Sequence, residues 1–349
     1  MTPPPIERIA GDAPVGSADA VDADVIILTL HRSTDSRDAI LSALAQTGVS
    51  RRVWVLDQGS TPEELAVLAR CVLGRDDAAL FRTPVNLGVP GGRNVLAGLG
   101  RGRVIAGLDN DATFADPTTL ATMVAALDDD PGLAAIGCRI VTDATGADDV
   151  SSWGYPTTLL ARAGERFPAV TFVGAGHAIR RQAWDEAGPY DAGLFFCWEE
   201  FDFCLRAIAR GWRIAYRGDL VIRHRVSPDQ RQVWSDRRWF HFVRNRLLIA
   251  RRLGASRIGL LPRVLGYLVK GLRHGLAGPT LAAIAAAATA PTGPILALPP
   301  QARAYLRAHD LAHRGSPWTR WRQEVLGRLP DQPSLSRART PMIAGLSHR

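Results

Sequence analysis

The 349-residue chain predicts an α/β protein, a mostly parallel central sheet flanked by helices, with a helical, basic and apolar C-terminal extension. Three observations carry this. Short β-branched apolar runs alternate with helix-like stretches from Asp24 to about residue 130, the pattern of a parallel, doubly wound sheet. Strand-like and helix-like segments then mix as far as His224. From about residue 230, arginines interleave with tryptophan and phenylalanine, and an alanine-rich apolar stretch follows.

In order, residues 24–30 (DVIILTL) read as a buried strand. A helix follows through 38–44, closed by Gly48. Residues 52–57 (RVWVLD) form the next strand, with Gln58-Gly59-Ser60 as its turn. Pro62, Glu63 and Glu64 open a helix with the proline and acids that the first turn favours. Residues 79–82 are a third strand. The glycine-rich 86–94 (NLGVPGGRN) reads as a loop running into a helix, and 103–108 as a fourth strand ending at Asp109-Asn110-Asp111. Asp116-Pro117 caps a helix that ends near Gly132. Further strands are expected at 133–140, 170–173, 212–216 and 220–224. Helices are expected from Arg180 to Gly188 and over 199–210, the latter stopped by Gly211.

The net charge of +8 is uneven. Residues 1–202 carry −12 and residues 203–349 carry +20, so the tail is expected to meet something anionic. Between Gly275 and Leu298 there is no charge, but prolines interrupt the stretch and alanine dominates it. That composition favours helices lying on a membrane surface, with a spanning segment and a soluble tail as alternatives. Apolar segments alternating with basic charge fit a lipid surface better than nucleic acid, so no nucleic acid is expected. The four cysteines contain no CxxC pair, which argues against a structural zinc site and for buried thiols of a cytosolic protein.

In sheets of this kind ligands sit at the carboxyl ends of the strands, where Thr29, His31, Asp57, Asn86, Arg93, Asp109 and Asp111 all fall. Asp109 and Asp111, two residues apart, suit Mg²⁺ or Mn²⁺, which take oxygen ligands and bridge to diphosphates. The 86–94 loop lacks the Gly-Lys-Ser/Thr of a phosphate-binding P-loop. The segment Gly174-Ala175-Gly176 lacks the third glycine of a dinucleotide fingerprint, having Ile179 in its place. Hydride transfer and P-loop phosphoryl transfer therefore lose their main support. Glu199-Glu200, with Asp202 two residues on, stand at a helix start, where a carboxylate can act as general base and where the helix dipole also favours acids on its own. His224 ends a strand and could complete a metal site begun by the acidic turn.

From about Val25 to about His224 the chain resembles glycosyltransferase family 2, inverting enzymes of the GT-A fold (Rossmann-like), and in particular its rhamnosyltransferase-like branch. Thr29 with His31-Arg32 is similar to the family's T-Y-N-R opening. Val55 to Ser60 is similar to V-V-D-N-G-S, Asn86 to Asn94 to N-x-G-x-x-G-G-R-N, Leu108 to Asp111 to the DxD turn, and Phe195 to Arg206 to F-F-x-Y-x-E-D-x-D-L-C-L-R. His224 matches the branch's late histidine. The family's E-D pair is Glu199-Glu200 here, so the base role passes to Glu200, with Glu199 in reserve.

The resemblance implies a metal-dependent transferase taking a UDP- or dTDP-sugar and a glycan, lipid-linked or small-molecule acceptor. Thr29, His31, Arg32, Asp57, Asn86, Gly91, Gly92, Arg93 and Asp109 would bind the nucleotide, with Arg93 steadying base or diphosphate. Asp109, Asp111 and His224 would hold the metal. Trp198, Asp202 and Gly176 would lie on the acceptor side. The alternative is a non-catalytic nucleotide-sugar-binding protein on the same fold. The expected division is a flexible leader 1–22 and a GT-A catalytic domain 23–228, split into nucleotide (23–115) and acceptor (116–228) parts. A helical, membrane-associating extension 229–328 and a disordered tail 329–349 follow. The expected location is cytoplasmic, at the inner face of the plasma membrane.

Overall fold

The computed structural model describes residues 5–17, 21–225, 234–291, 293 and 295–327, so the disordered-tail expectation for 329–349 lies outside the described residues. The first half runs β1 (Glu7–Ala10), β2 (Ala23–Thr29), α1 (Ser33–Leu44), β3 (Arg51–Asp57), α2 (Pro62–Val72), β4 (Ala78–Arg82), α3 (Gly88–Leu99), β5 (Val104–Leu108), β6 (Ala112–Phe114) and α4 (Thr119–Asp128). The second adds β7 (Leu133–Thr142), β8 (Arg166–Ala169), β9 (Gly176–Arg180), α5 (Arg181–Ala187), α6 (Glu199–Ala209) and β10 (Arg213–His224). Five helices follow: α7 (Asp236–Arg252), α8 (Arg257–Arg273), α9 (Ala277–Thr289), α10 (Pro300–His309) and α11 (Pro317–Leu326).

The described strands form one sheet in the order β1-β4-β3-β2-β5-β9-β7-β10-β6, with β8 also on β10. β4, β3, β2 and β5 are parallel, as the alternating pattern predicts, while β9 enters antiparallel between β5 and β7. The chain leaves β2 toward β3 on one side and returns at β5 on the other. This reversal opens a crevice beyond the carboxyl ends of β2 and β5. Apolar side chains fill both faces: α1, α2 and α4 cover one, and α3, α5, α6 and α10 the other. A separate cluster around Trp239, Leu247 and Tyr267 joins α7, α8 and α9.

Several elements depart from the sequence reading. Within the segment expected as a flexible leader, Glu7–Ala10 pairs with β4, and Arg8 donates to the carbonyls of Gly11 and Ala13 at 2.8 Å. Residues 170–173 form no strand; Phe172 is buried for packing, stacked on His177 with ring centroids 4.5 Å apart. Residues 212–216 and 220–224, expected as two strands, belong to one, because β10 bulges at 218–220 and resumes its register on β7 with Val221 opposite Arg139. The glycine-rich segment is already helix from Gly88. Helix propensity disfavours this, but the close packing described below demands it.

Candidate active site

The end of β2 and the acidic turn are wired together. Thr29, buried, shares a 2.8 Å hydrogen bond between its Oγ1 and Ser36 Oγ, to which Asn110 Nδ2 donates at 3.2 Å. Beside Thr29 in register lies Asp57, and beside Asp57 lies Arg82. Asp57 is fully buried and accepts the N–H groups of Gly59 at 3.2 Å and Ser60 at 3.1 Å, fixing its own turn. Arg82 Nε stands 3.6 Å from Asp57, a neighbour the sequence motif did not disclose. His31 and Arg32 are left-handed, with φ of 59° and 57°. His31 Nδ1 lies 3.0 Å from Glu64, and Arg32 Nη1 donates to Asp111 Oδ2 at 2.7 Å.

Asn86 is exposed, and its Oδ1 accepts the Gly88 N–H at 2.8 Å. Gly91 and Gly92 lie in the first turns of α3. A Cβ on Gly92 would lie 2.6 Å from Leu28 Cδ2, so this glycine lets α3 press against the end of β2. A Cβ on Gly88 would overlap the backbone carbonyl of Phe195.

Arg93, expected beside the base or diphosphate, has a buried guanidinium that donates at 2.8 Å to each of three partners: Asp109 Oδ1, Glu200 Oε1 and the Gly174 carbonyl. Burial opposes its charge, but the two carboxylates hold it protonated. Arg93 thus joins the acidic turn to the start of α6, 107 positions along the chain.

The other acid of the turn looks toward β10. β6 follows the turn directly and pairs with the end of β10, setting Ala112 opposite His224. Asp111 Oδ1 comes within 3.3 Å of His224 Nε2, and the Arg225 N–H donates to the Asp111 carbonyl at 2.8 Å. His224 Nδ1 is 2.9 Å from Asp149 Oδ2. Burial disfavours charge on this imidazole, yet the hydrogen bonds to Asp111 and Asp149 push its pKa up to about 10. Burial raises Asp111, and the bond to His224 with the charge of Arg32 more than reverses this. Asp149, buried and bonded to Ser151 and Ser152, was not singled out in the sequence, since nothing local marks it.

The described residues hold no cluster of three or more His, Cys, Asp or Glu side chains disposed around a metal ion. Asp111 and His224 nevertheless fit one. Their facing atoms are a carboxylate oxygen and an imidazole nitrogen, and Asp149 occupies the other ring nitrogen, as carboxylates do behind metal-bound histidines. Asp109, its side chain 40% exposed, is drawn instead to Arg93.

Glu199 and Glu200 are the first residues of α6. Burial, with each other's proximity, pushes the Glu199 carboxyl well up; burial also raises Glu200, but Arg93 opposes it. Of the two, only Glu200 touches Arg93. Glu199 Oε2 is buried without a hydrogen-bond partner. Among the acceptor-side residues, Trp198 is left-handed and donates from Nε1 to the Phe242 carbonyl at 3.0 Å. Asp202 turns to Arg206 and Arg252, at 3.0 and 3.3 Å, and ties α6 to α7. Gly176 sits opposite Leu108 in the sheet, where any Cβ would overlap Ile222, so it serves packing.

The sheet and its flanking helices have the GT-A type of fold. Residues 24–188 match the family model described as Glycosyl transferase family 2. The matched residues include the acidic turn and end before Glu199, Glu200 and His224. The fold is similar to that of the mannosyltransferase PcManGT from Pyrobaculum calidifontis, solved with GDP-Man and Mn²⁺. That likeness has a TM-score of 0.53 and 19% identity, over 91% of this chain and 89% of that one. It is also similar to GalNAc-T7, solved with UDP, GalNAc and Mn²⁺, with a TM-score of 0.57 and 14% identity. There 89% of this chain is covered, against 57% of the GalNAc-T7 chain. A search of curated protein sequences found no match.

Proposed function

We propose that the protein is an inverting, metal-dependent glycosyltransferase. It moves a hexosyl or rhamnosyl group from a UDP- or dTDP-sugar to an acceptor hydroxyl of a glycan, lipid-linked or small-molecule acceptor. Cell-surface polysaccharide, glycolipid or natural-product glycosylation would be its setting. The observation that carries this is the Arg93 bridge. One buried guanidinium holds the acidic turn and the candidate base at 2.8 Å each, so donor and acceptor chemistry share one anchor.

In this reading Thr29, His31, Arg32, Asp57, Asn86, Gly91 and Gly92 border the nucleotide, Asp109 its ribose, and Trp198 the acceptor. Glu200 takes the proton of the acceptor hydroxyl as that oxygen attacks the anomeric carbon. The new C–O bond forms opposite the departing nucleoside diphosphate, which leaves with the electron pair of the broken bond. Arg93 opposes the effect of burial on Glu200 and holds its carboxyl in line with the acidic turn. A Mg²⁺ or Mn²⁺ ion held by Asp111 and His224, with Asp109 in reach, would supply Lewis-acid neutralisation of the diphosphate. The test is release of nucleoside diphosphate from UDP-, dTDP- and GDP-sugars, with and without Mn²⁺ or Mg²⁺. Turnover that survives chelation, or persists in Asp111→Ala, would remove the acidic turn from the mechanism. Nucleotide binding without turnover on any donor would leave the non-catalytic reading standing.

We further propose that α8 rests on an anionic lipid surface at the inner face of the plasma membrane. No described helix is long and apolar enough to cross a membrane. Ile258, Leu261, Leu265 and Leu272 nonetheless project into solvent from α8, beside Arg257 and Arg273. Apolar side chains with basic residues alongside suit such an interface. Full-length protein that stays in the supernatant with anionic vesicles would overturn this.

A further inference from the structure

The candidate base follows an unusual run of backbone. Phe195, Cys197 and Trp198 have φ of 63°, 67° and 74°, three of the five non-glycine residues with positive φ among those described. None is asparagine or glycine, the residues that tolerate this conformation. Such geometry persists only where surroundings impose it. With successive peptides turned over, the carbonyls of Leu194, Phe196 and Cys197 cannot join one regular ladder. They converge instead on a single side chain from α7.

We infer that Asn245 is a positioning residue for the transfer reaction, holding residues 194–198 so that the Glu199 and Glu200 carboxyls point into the site. The inference rests on the transferase reading. Asn245 is fully buried, in a helix whose neighbouring inward positions Val243, Leu247 and Leu248 are apolar. Its Nδ2 lies 2.9 Å from the Leu194 carbonyl, 2.8 Å from that of Phe196 and 3.0 Å from that of Cys197. Two amide hydrogens are shared among the three acceptors. Its Oδ1 accepts from Arg244 Nη1 at 2.9 Å, and the same nitrogen donates to the Gly193 carbonyl at 2.8 Å. Aspartate has the shape but no hydrogens to give, and leucine has neither polar end.

Other contacts close the segment around this anchor. The Val89 N–H donates to the Phe195 carbonyl at 2.9 Å, from the glycine-rich start of α3. Trp198 is fixed through Phe242, one turn before Asn245, and Arg246 lies 5.0 Å from its ring centre. The aim of the carboxyls therefore depends on a helix 48 positions beyond Cys197 and outside the family-matched residues.

The experiment compares wild type and Asn245→Ala in nucleoside diphosphate release from a UDP-, dTDP- and GDP-sugar panel with Mn²⁺, alongside amide hydrogen exchange. The variant is expected to lose roughly 100-fold in kcat, the scale of an ångström-sized misplacement. Donor KM should stay unchanged, and exchange should quicken over residues 194–200 alone. Adding Cys197→Gly, which takes the left-handed conformation freely, should recover part of the kcat. If Asn245→Ala does not fold, Asn245→Ser, which retains one donor, is read the same way. Wild-type kcat and wild-type exchange in the variant would overturn the inference alone. So would a donor KM that rises as far as kcat falls. A wild-type protein without turnover on any donor would overturn the transferase reading, and the catalytic part of this inference with it.

Discussion

The two halves of the site are held in different ways. On the nucleotide side, Thr29, Asp57 and the acidic turn stand at the ends of adjacent strands, and ladder register alone puts them on one rim. On the acceptor side, Glu199 and Glu200 stand at a helix start reached through left-handed residues, and no ladder places them. There the geometry comes from distant side chains, Arg93 from α3 and Asn245 from α7. A strand-end site is inherited from the sheet, whereas a strained helix start must be clamped. Each left-handed L-residue costs about 1–2 kcal/mol, so the three on the acceptor side store more strain than the two, His31 and Arg32, on the nucleotide side.

Three substitutions sharpen that contrast. The largest effect belongs to Glu200→Gln. Loss of a general base should lower both donor hydrolysis and transfer by about 10²–10⁴-fold, with nucleoside diphosphate affinity by calorimetry unchanged. If Glu199→Gln is the inactive variant instead, the roles of the two acids are exchanged. Next comes Gly88→Ala, at the seam between the halves. The residue has φ of 71° and abuts the Phe195 backbone. Left-handed strain plus overpacking should cost about 2–4 kcal/mol in denaturant unfolding and depress kcat as well. A stable, fully active Gly88→Ala protein would mean the halves are not coupled there. The smallest is Asp149→Asn, which changes the partner behind His224 and keeps an acceptor for Ser151 or Ser152. Mn²⁺ affinity should fall about 10–100-fold in a direct titration, with the fold intact. Unchanged affinity would remove His224 and Asp149 from the metal site.

The acidity of the carboxylate pair bears on the same contrast. In the proposed mechanism Glu200 acts as base only when ionised, and burial raises its pKa above the ordinary 4.5 of a glutamate. Activity should therefore rise with pH through a limb that lies above that value. A limb at or below it would argue for a solvated base elsewhere.

Much of the nucleotide side was legible because its signals are local. Apolar runs gave the parallel strands; Asp57 ends one of them, and Asp109-Asn110-Asp111 follow another as its turn. The start of α6 was legible too, from its acids and the closing Gly211. Less was legible where contacts are long-range. The glycines of 86–94 suggested a loop, yet they begin a helix because Leu28 and Phe195 leave no room for a Cβ. Residues 170–173 had a strand's composition, but their apolar side chains serve packing and β8 takes the edge of β10 instead.

By itself, then, the sequence determined the α/β alternation, the acidic turn at a strand end and the paired glutamates at a helix start. Each is written in residues a few positions apart. Only the tertiary structure decided that Arg93 faces Asp109 and Glu200, that Asp149 stands behind His224, and that Asn245 holds the carbonyls before the paired glutamates. Those partners lie 16 to 107 positions apart. No local pattern marks them, because what selects them is the need of buried charges and carbonyls for partners once the chain has closed around them.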